Sequence, residues 1–181
     1  MASDDFLKTL KSKIREVPDF PIPGVLFKDI SPIFLDPQLI ENCVEALAEQ
    51  WKNQGVTKVI GIDSRGFLLG PQIASKLNAG FVMVRKKGKL PPETISVTYE
   101  LEYGAATLES VKESLSPGDK VIIHDDLLAT GGTAMATADM CRTLGAQVAG
   151  FSFIISLDFL PGKAKLAQSG QPVHALINYS N

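Results

Sequence analysis

Cysteine is scarce. The 181 residues hold two, Cys43 and Cys141, with no CxxC and no His/Cys set at metal-ligand spacing. Both thiols fall within apolar helical patterns, which marks them as buried side chains and not as ligands or nucleophiles. Long apolar runs are missing as well. No stretch approaches the ~18 to 20 residues a membrane helix needs. Positive charge is not in excess: 18 Lys+Arg stand against 20 Asp+Glu, net −2, which argues against a dedicated nucleic-acid coat and leaves room only for a local anion site. The start, Met1-Ala-Ser-Asp-Asp, lacks the basic and apolar segments of an export signal, so a cytoplasmic protein is expected. Internal repeats, low-complexity tracts and splitting linkers are absent. With 45% hydrophobic and 21% charged residues, the composition suits one folded domain over 1–181.

What is present alternates between helices and short apolar strands. Phe6, Leu7, Leu10, Ile14 and Val17 recur at helical spacing, predicting a helix over 4–16 capped by Ser3. Three prolines in Val17–Gly24 then exclude regular helix and predict an extended, apolar loop. Asp36-Pro37 reads as an N-cap with proline at the first helical position. Leu39, Cys43, Leu47 and Trp51 continue that helix, which Gly55 ends. Strands are expected at 58–62, 81–85, 121–124, 148–157 and 173–179, and helices through Ile73–Leu77 and over 133–144. Near-continuous apolar strands separated by helices predict an α/β fold on a buried parallel sheet, with ligands beyond the carboxyl ends of its strands. Thr94 to Tyr103 alternates like a strand, and Gly104 suggests a hairpin. Residues 105–115 fit strand or short helix equally.

Chemistry concentrates in Val121-Ile-Ile-His-Asp-Asp-Leu-Leu-Ala-Thr-Gly-Gly-Thr133. A hydrophobic strand is followed by adjacent carboxylates, a small-residue loop and a helix. Backbone N–H groups of Ala129, Thr130, Gly131, Gly132 and Thr133 can close on a phosphate where the helix dipole favours an anion. Asp125 and Asp126 can accept hydrogen bonds from a sugar diol. Two neighbouring acids repel, which a fold tolerates mainly where a cationic or hydroxylic ligand binds. GxxxxGK[ST] and GxGxxG are absent, so neither a P-loop nor a dinucleotide fold is supported. Arg85, Lys86, Lys87 and Lys89 gather four positive charges in five residues, suited to a polyanion.

The run 121–133 resembles the phosphoribosyl pyrophosphate (PRPP) signature of the type I phosphoribosyltransferases. Asp19-Phe-Pro-Ile-Pro-Gly-Val-Leu-Phe-Lys-Asp-Ile-Ser-Pro32, Gly61-Ile-Asp-Ser-Arg-Gly-Phe67, Arg85-Lys-Lys-Gly-Lys-Leu-Pro91 and Tyr99-Glu-Leu-Glu-Tyr-Gly104 resemble, in order, the adenine-specific branch of that family. The resemblance implies a type I phosphoribosyltransferase-like fold with an N-terminal hood (about 1–35) and a flexible catalytic lid (about 86–106) hinged near Gly88. It implies transfer of phosphoribose from PRPP to adenine. In that scheme residues 129–133 hold the 5′-phosphate and Asp125 and Asp126 face the ribose. Arg65, Arg85, Lys86, Lys87 and Lys89 serve the pyrophosphate, and Glu102 takes the proton of adenine while Tyr103 positions substrate. Phe27 stacks on the base, the main chain at Leu26 and Lys28 reads its edge, and Leu160 walls the other face. Mg²⁺ held mainly by substrate oxygens and a homodimer are also implied; nucleic acid and membrane are not. His124 stands where the family usually has an apolar residue and is expected to be a core histidine. Other bases, a non-catalytic PRPP sensor and a phosphosugar isomerase remain the rival expectations.

Overall fold

A computed structural model describes residues 2–100 and 104–180. Helix α1 (Asp4–Lys13) opens the chain, and the Ser3 hydroxyl accepts from the Phe6 N–H at 3.2 Å, as expected of a cap. The helix is shorter than the apolar spacing predicts. Ile14 turns extended, and Val17, which precedes Pro18 and so disfavours helical backbone, belongs to a strand instead. That strand, β1 (Arg15–Val17), pairs antiparallel with β2 (Phe27–Asp29). Opposite charges face each other across the ladder: Arg15 Nη2 lies 2.5 Å from Asp29 Oδ2, and Lys28 pairs with Glu16. Lys28 is buried and its ammonium stands 4.0 Å over the Tyr179 ring, which fastens this hood to the far end of the chain.

Helix α2 (Pro37–Glu49) starts as predicted, with the Asp36 carboxylate accepting from the N–H groups of Gln38 and Leu39. It stops sooner than expected. Trp51 lies in the turns after Glu49 and is nonetheless buried, so its spacing reported burial correctly and helix wrongly. Next come β3 (Lys58–Ile62), α3 (Gly70–Lys76), β4 (Gly80–Lys86), β5 (Thr94–Glu100), β6 (Ala105–Val111), β7 (Lys120–Leu128), α4 (Gly132–Thr143), β8 (Gln147–Leu157), α5 (Gly162–Ala167) and β9 (Val173–Tyr179). The ambiguous stretch 105–115 is strand followed by a 3-10 turn at Lys112–Ser114.

Seven strands form one sheet in the order β5-β6-β4-β3-β7-β8-β9. The five from β4 to β9 are parallel; β5 and β6 extend it as an antiparallel hairpin. Alternate residues of β7 feed two cores. Ile122 packs beneath α1, α2 and α3 with Leu47, Trp51 and Ile73, and Ile123 beneath α4 with Met140 and Phe151. Cys43 and Cys141 are buried and free, one in each core, and burial pushes both thiols up to about 12. The 121–124 strand runs further than expected, through both acids to Leu128, because β8 pairs alongside it as far as Leu128↔Ser156. No helix among the described residues is long and apolar enough to cross a membrane.

Candidate active site

The parallel strands all deliver their carboxyl ends to one edge, where β7 ends in the paired acids and the 129–133 loop follows. Between β7 and α4 the chain folds into a crook enclosing about 100 Å³, lined by Asp125, residues 127–134 and Phe153. Gly131 is the N-cap of α4 at φ +74°, a left-handed conformation that glycine adopts without strain. Among the described residues no side chain caps this helix. Its first-turn N–H groups are therefore left to a ligand, and the dipole selects an anion. A second glycine shapes the crook from outside. The Gly162 N–H, at the start of α5, donates to the Ala129 carbonyl at 3.0 Å. A Cβ there would stand 2.2 Å from the same oxygen. Beyond its place after Pro161, nothing in the local sequence marks Gly162.

Asp126 is 3% exposed, and its Oδ2 lies 3.0 Å from Arg65 Nε. The guanidinium N–H is not aimed along that contact, so this is an ion pair without a formed hydrogen bond. Burial raises the Asp126 carboxyl above its ordinary value, with Arg65 acting against the shift. Asp125 is raised well above the ordinary carboxylate range by burial and then by the neighbouring Asp126 charge. Its Oδ1 accepts from the Asp126 N–H at 2.9 Å. The acids and the Asp63–Gly66 loop are in direct contact: a Cβ on Gly66 would meet the His124 carbonyl at 2.7 Å and Asp125 Oδ1 at 3.2 Å.

Arg65 also lies 5.0 Å from the centroid of the Phe27 ring, which meets Phe20 edge-on at 5.0 Å. The hood is thereby brought to the sheet edge. A cavity of about 540 Å³ opens beside Phe27, with Phe20, Phe34, Arg65 and Leu68 among its walls. Leu26 is exposed and the Lys28 side chain is committed to Glu16, which leaves main-chain groups as what these two residues can offer a ligand. Leu160 is not among the walls of that cavity; it sits in the turn before Gly162, with its N–H donating to Leu157 O at 2.9 Å. Glu102 and Tyr103 lie outside the described residues.

The basic run is not four equivalent charges. Arg85 Nε donates to Asp63 Oδ2 at 3.0 Å and its Nη1 to the Lys89 carbonyl at 3.2 Å, whereas Lys86, Lys87 and Lys89 are exposed. The turn they occupy is tied to β6 through Lys87 N–H to Thr107 O at 3.1 Å and Gly88 N–H to Glu109 Oε2 at 2.8 Å. Asp63 belongs to the Gly61–Phe67 segment, where the sequence assigns a role only to Arg65; as the partner of Arg85 it joins this loop to β4.

His124 is fully buried, with Nδ1 3.1 Å from Ser152 O, and burial pushes its pKa down to about 4. The ring is neutral at pH 7. The unfolded chain takes up this proton near 6.5, so stability supplied by the neutral ring is lost as pH falls from there toward 4. Wild type is therefore expected to lose about 2–3 kcal/mol more than His124→Leu between pH 7 and about pH 4.5 in urea unfolding. Equal losses would show that His124 carries no such linkage.

A mostly parallel sheet with paired acids and a glycine crook at its carboxyl edge is the arrangement that the resemblance to the phosphoribosyl-transferring class implies. A family model described as "Phosphoribosyl transferase domain" matches residues 33–165. The chain is 50% identical to the adenine phosphoribosyltransferase of Nitrosococcus oceani over 173 residues, 96% of this chain and 100% of that protein. The crystal structure of adenine phosphoribosyltransferase from Rhodothermus marinus superposes with a TM-score of 0.93 at 48% identity, covering 98% of this chain and 100% of that one. The Saccharomyces cerevisiae adenine phosphoribosyltransferase, complexed with D-2,5-dideoxy-2,5-imino-altritol 1,6-bisphosphate and adenine, has a TM-score of 0.89 at 40% identity, covering 96% and 99%. The chain belongs to the adenine phosphoribosyltransferase family.

Proposed function

We propose that this protein transfers the 5-phosphoribosyl group of PRPP to adenine, giving AMP and pyrophosphate. The observation that carries the reading is the join made by Arg65. Its guanidinium touches the ribose-facing acid Asp126 on one side and the base-stacking Phe27 on the other. A sugar anchored in the 129–133 crook would thus present its anomeric carbon between the acids and the hood. The crook supplies N–H donors to the 5′-phosphate, and Thr130 and Thr133 add hydroxyls. Asp125 and Asp126 accept from the ribose hydroxyls. Adenine lies against Phe27, its edge met by main-chain groups at Leu26 and Lys28; Leu160, outside the walls of the cavity as it stands, would meet the base only if the β8–α5 turn moved toward it.

As the bond to pyrophosphate breaks, charge grows on the leaving group. Arg65, Lys86, Lys87 and Lys89 are the cations proposed to meet it, and Arg85 orders the loop that carries Arg65 through Asp63. Glu102 is the proposed acceptor of the adenine N9 proton, with Tyr103 positioning substrate beneath the lid. Closure of the 86–106 segment would keep water from the anomeric centre. Among the described residues no three acidic, His or Cys side chains converge on a metal position. A Mg²⁺ arriving on PRPP would be held mainly by pyrophosphate and ribose oxygens, and the hard carboxylate oxygens of Asp125 and Asp126 at the ribose position would suit it. Such an ion neutralises pyrophosphate charge. A cytoplasmic homodimer completes the reading; Leu35 at 84% exposure, Leu68 and Met83 are apolar side chains a second copy would cover.

The decisive experiment measures pyrophosphate release from PRPP with adenine, hypoxanthine, guanine or orotate as acceptor. Release with adenine and not with the others is expected. Binding of PRPP without release would make the protein a sensor, and release with another base would reassign the hood.

A further inference from the structure

The inner face of β5 carries Ile95, Val97 and Tyr99, which pack against the core beneath α4. Tyr99 reaches furthest toward the crook. Its hydroxyl lies 2.9 Å from Thr133 Oγ1, and its ring passes Gly132 so closely that a Cβ there would be 3.5 Å away. The hairpin next to the basic turn therefore touches the phosphate loop through one hydroxyl pair, at the first turn of α4.

We propose that Tyr99 is a positioning residue for the 5′-phosphate, acting through Thr133; this rests on the reading of the crook given above. A threonine hydroxyl has one proton to donate and lone pairs to accept. While the crook is empty, either oxygen of the pair can be the donor. A phosphate dianion in the crook attracts the Thr133 proton, because a hydrogen bond to an ionised acceptor is roughly twice as strong as a neutral one. Thr133 then serves Tyr99 only as an acceptor, and Tyr99 donates. The two bonds polarise one another in a chain Tyr99–Thr133–phosphate. The phosphate thus tightens the contact that holds the hairpin over it, and the hairpin in turn fixes the Thr133 rotamer that meets the phosphate. Thr137 Oγ1, donating to Thr133 O at 2.9 Å, keeps the backbone of this turn in place independently of the side chain.

The test is Tyr99→Phe, which removes one oxygen and keeps the ring against Gly132. Titration calorimetry with AMP and with adenine is run on wild type, Tyr99→Phe, Thr133→Val and the double variant. AMP affinity is expected to fall about five- to thirtyfold in Tyr99→Phe while adenine affinity stays within twofold. In the Thr133→Val background the same change should cost less than twofold, because the relay is already cut. In kinetics, KM for PRPP should rise with KM for adenine unchanged. Equal loss of AMP and adenine binding, or the same loss in both backgrounds, would reduce Tyr99 to a packing residue and overturn the proposal. Thr133→Ser, which keeps the hydroxyl, should retain the Tyr99 dependence, and its absence there would also count against the relay. Failure of wild type to bind AMP more tightly than adenosine would remove the phosphate assignment itself, and the proposal with it. Unchanged AMP binding by Tyr99→Phe alone would remove only the proposal.

Discussion

Gly162→Ala is expected to weaken AMP and PRPP binding by about a hundredfold or more, although residue 162 lies outside the 121–133 motif. The new methyl would stand 2.2 Å from Ala129 O and 3.0 Å from Ala129 C. Both are main-chain atoms, so no side-chain rotation relieves the clash. Either α5 lifts, breaking the Gly162 N–H bond to Ala129 O, or the crook moves inward. Gly131 packs against Gly162 on this same side, where a Cβ on Gly131 would lie 3.1 Å from the Gly162 main chain, so a displaced α5 and a displaced crook both disturb the loop. Losing one or two N–H bonds to a phosphate, each worth about 1.5–3 kcal/mol, is enough for a hundredfold loss. Overpacking of this kind also costs about 1–3 kcal/mol of stability. Adenine, which meets the hood and not the crook, should bind the variant within a few-fold of wild type. Calorimetry with both ligands separates the two effects. Undiminished AMP affinity would mean that the crook does not depend on α5 for its shape.

Local chemistry decided how much of this was legible in the sequence. The inner parallel strands β3, β7 and β8 were readable because burial on both faces demands continuous apolar runs, and Asp36-Pro37 and Ser3 announced their helices through capping. Helix ends were not readable. Trp51 keeps a helical spacing because it is buried, and burial does not require helix; Val17, half-buried, keeps the same spacing from a strand. The hood hairpin hid among prolines, since its two three-residue strands are joined by cross-strand ion pairs that no local pattern reveals. At the site, the motif segments pointed to the residues but not to their pairings. Arg85 looked like one of four equivalent cations, and only the fold sets Asp63 against it. Gly162 and Tyr99 contribute through contacts with residues more than 30 positions away, a relation that spacing along the chain cannot express.

Asp125→Asn is expected to make the protein more stable and less active at once. The wild-type carboxyl is raised well above the ordinary range by burial and by Asp126, so the ionised form is disfavoured in the folded state. For an acid shifted in this direction, folding is favoured while the group is protonated, and that contribution is lost as pH rises through the folded-state value. At neutral pH the wild type therefore carries an unrelieved cost. Asparagine removes the charge and can keep an Oδ1 acceptor for the Asp126 N–H now bonded at 2.9 Å. Relieving the repulsion also favours the ionised form of Asp126, tightening its pairing with Arg65. The melting temperature should rise by about 2–4 °C for each kcal/mol recovered, and the gain should shrink as pH is lowered, because the wild-type acid is then already neutral. Binding moves the other way. The variant loses a charged acceptor for the ribose hydroxyls and presents an amide donor to them, so PRPP affinity should fall about tenfold or more. Melting curves across pH, with and without PRPP, measure both signs in one series. A variant less stable than wild type at neutral pH would show that the paired acids are satisfied before substrate arrives. A variant with undiminished PRPP affinity would place the ribose elsewhere. The predicted combination assigns the cost of holding two buried acids side by side to the ligand-free protein, and its relief to the arrival of the sugar.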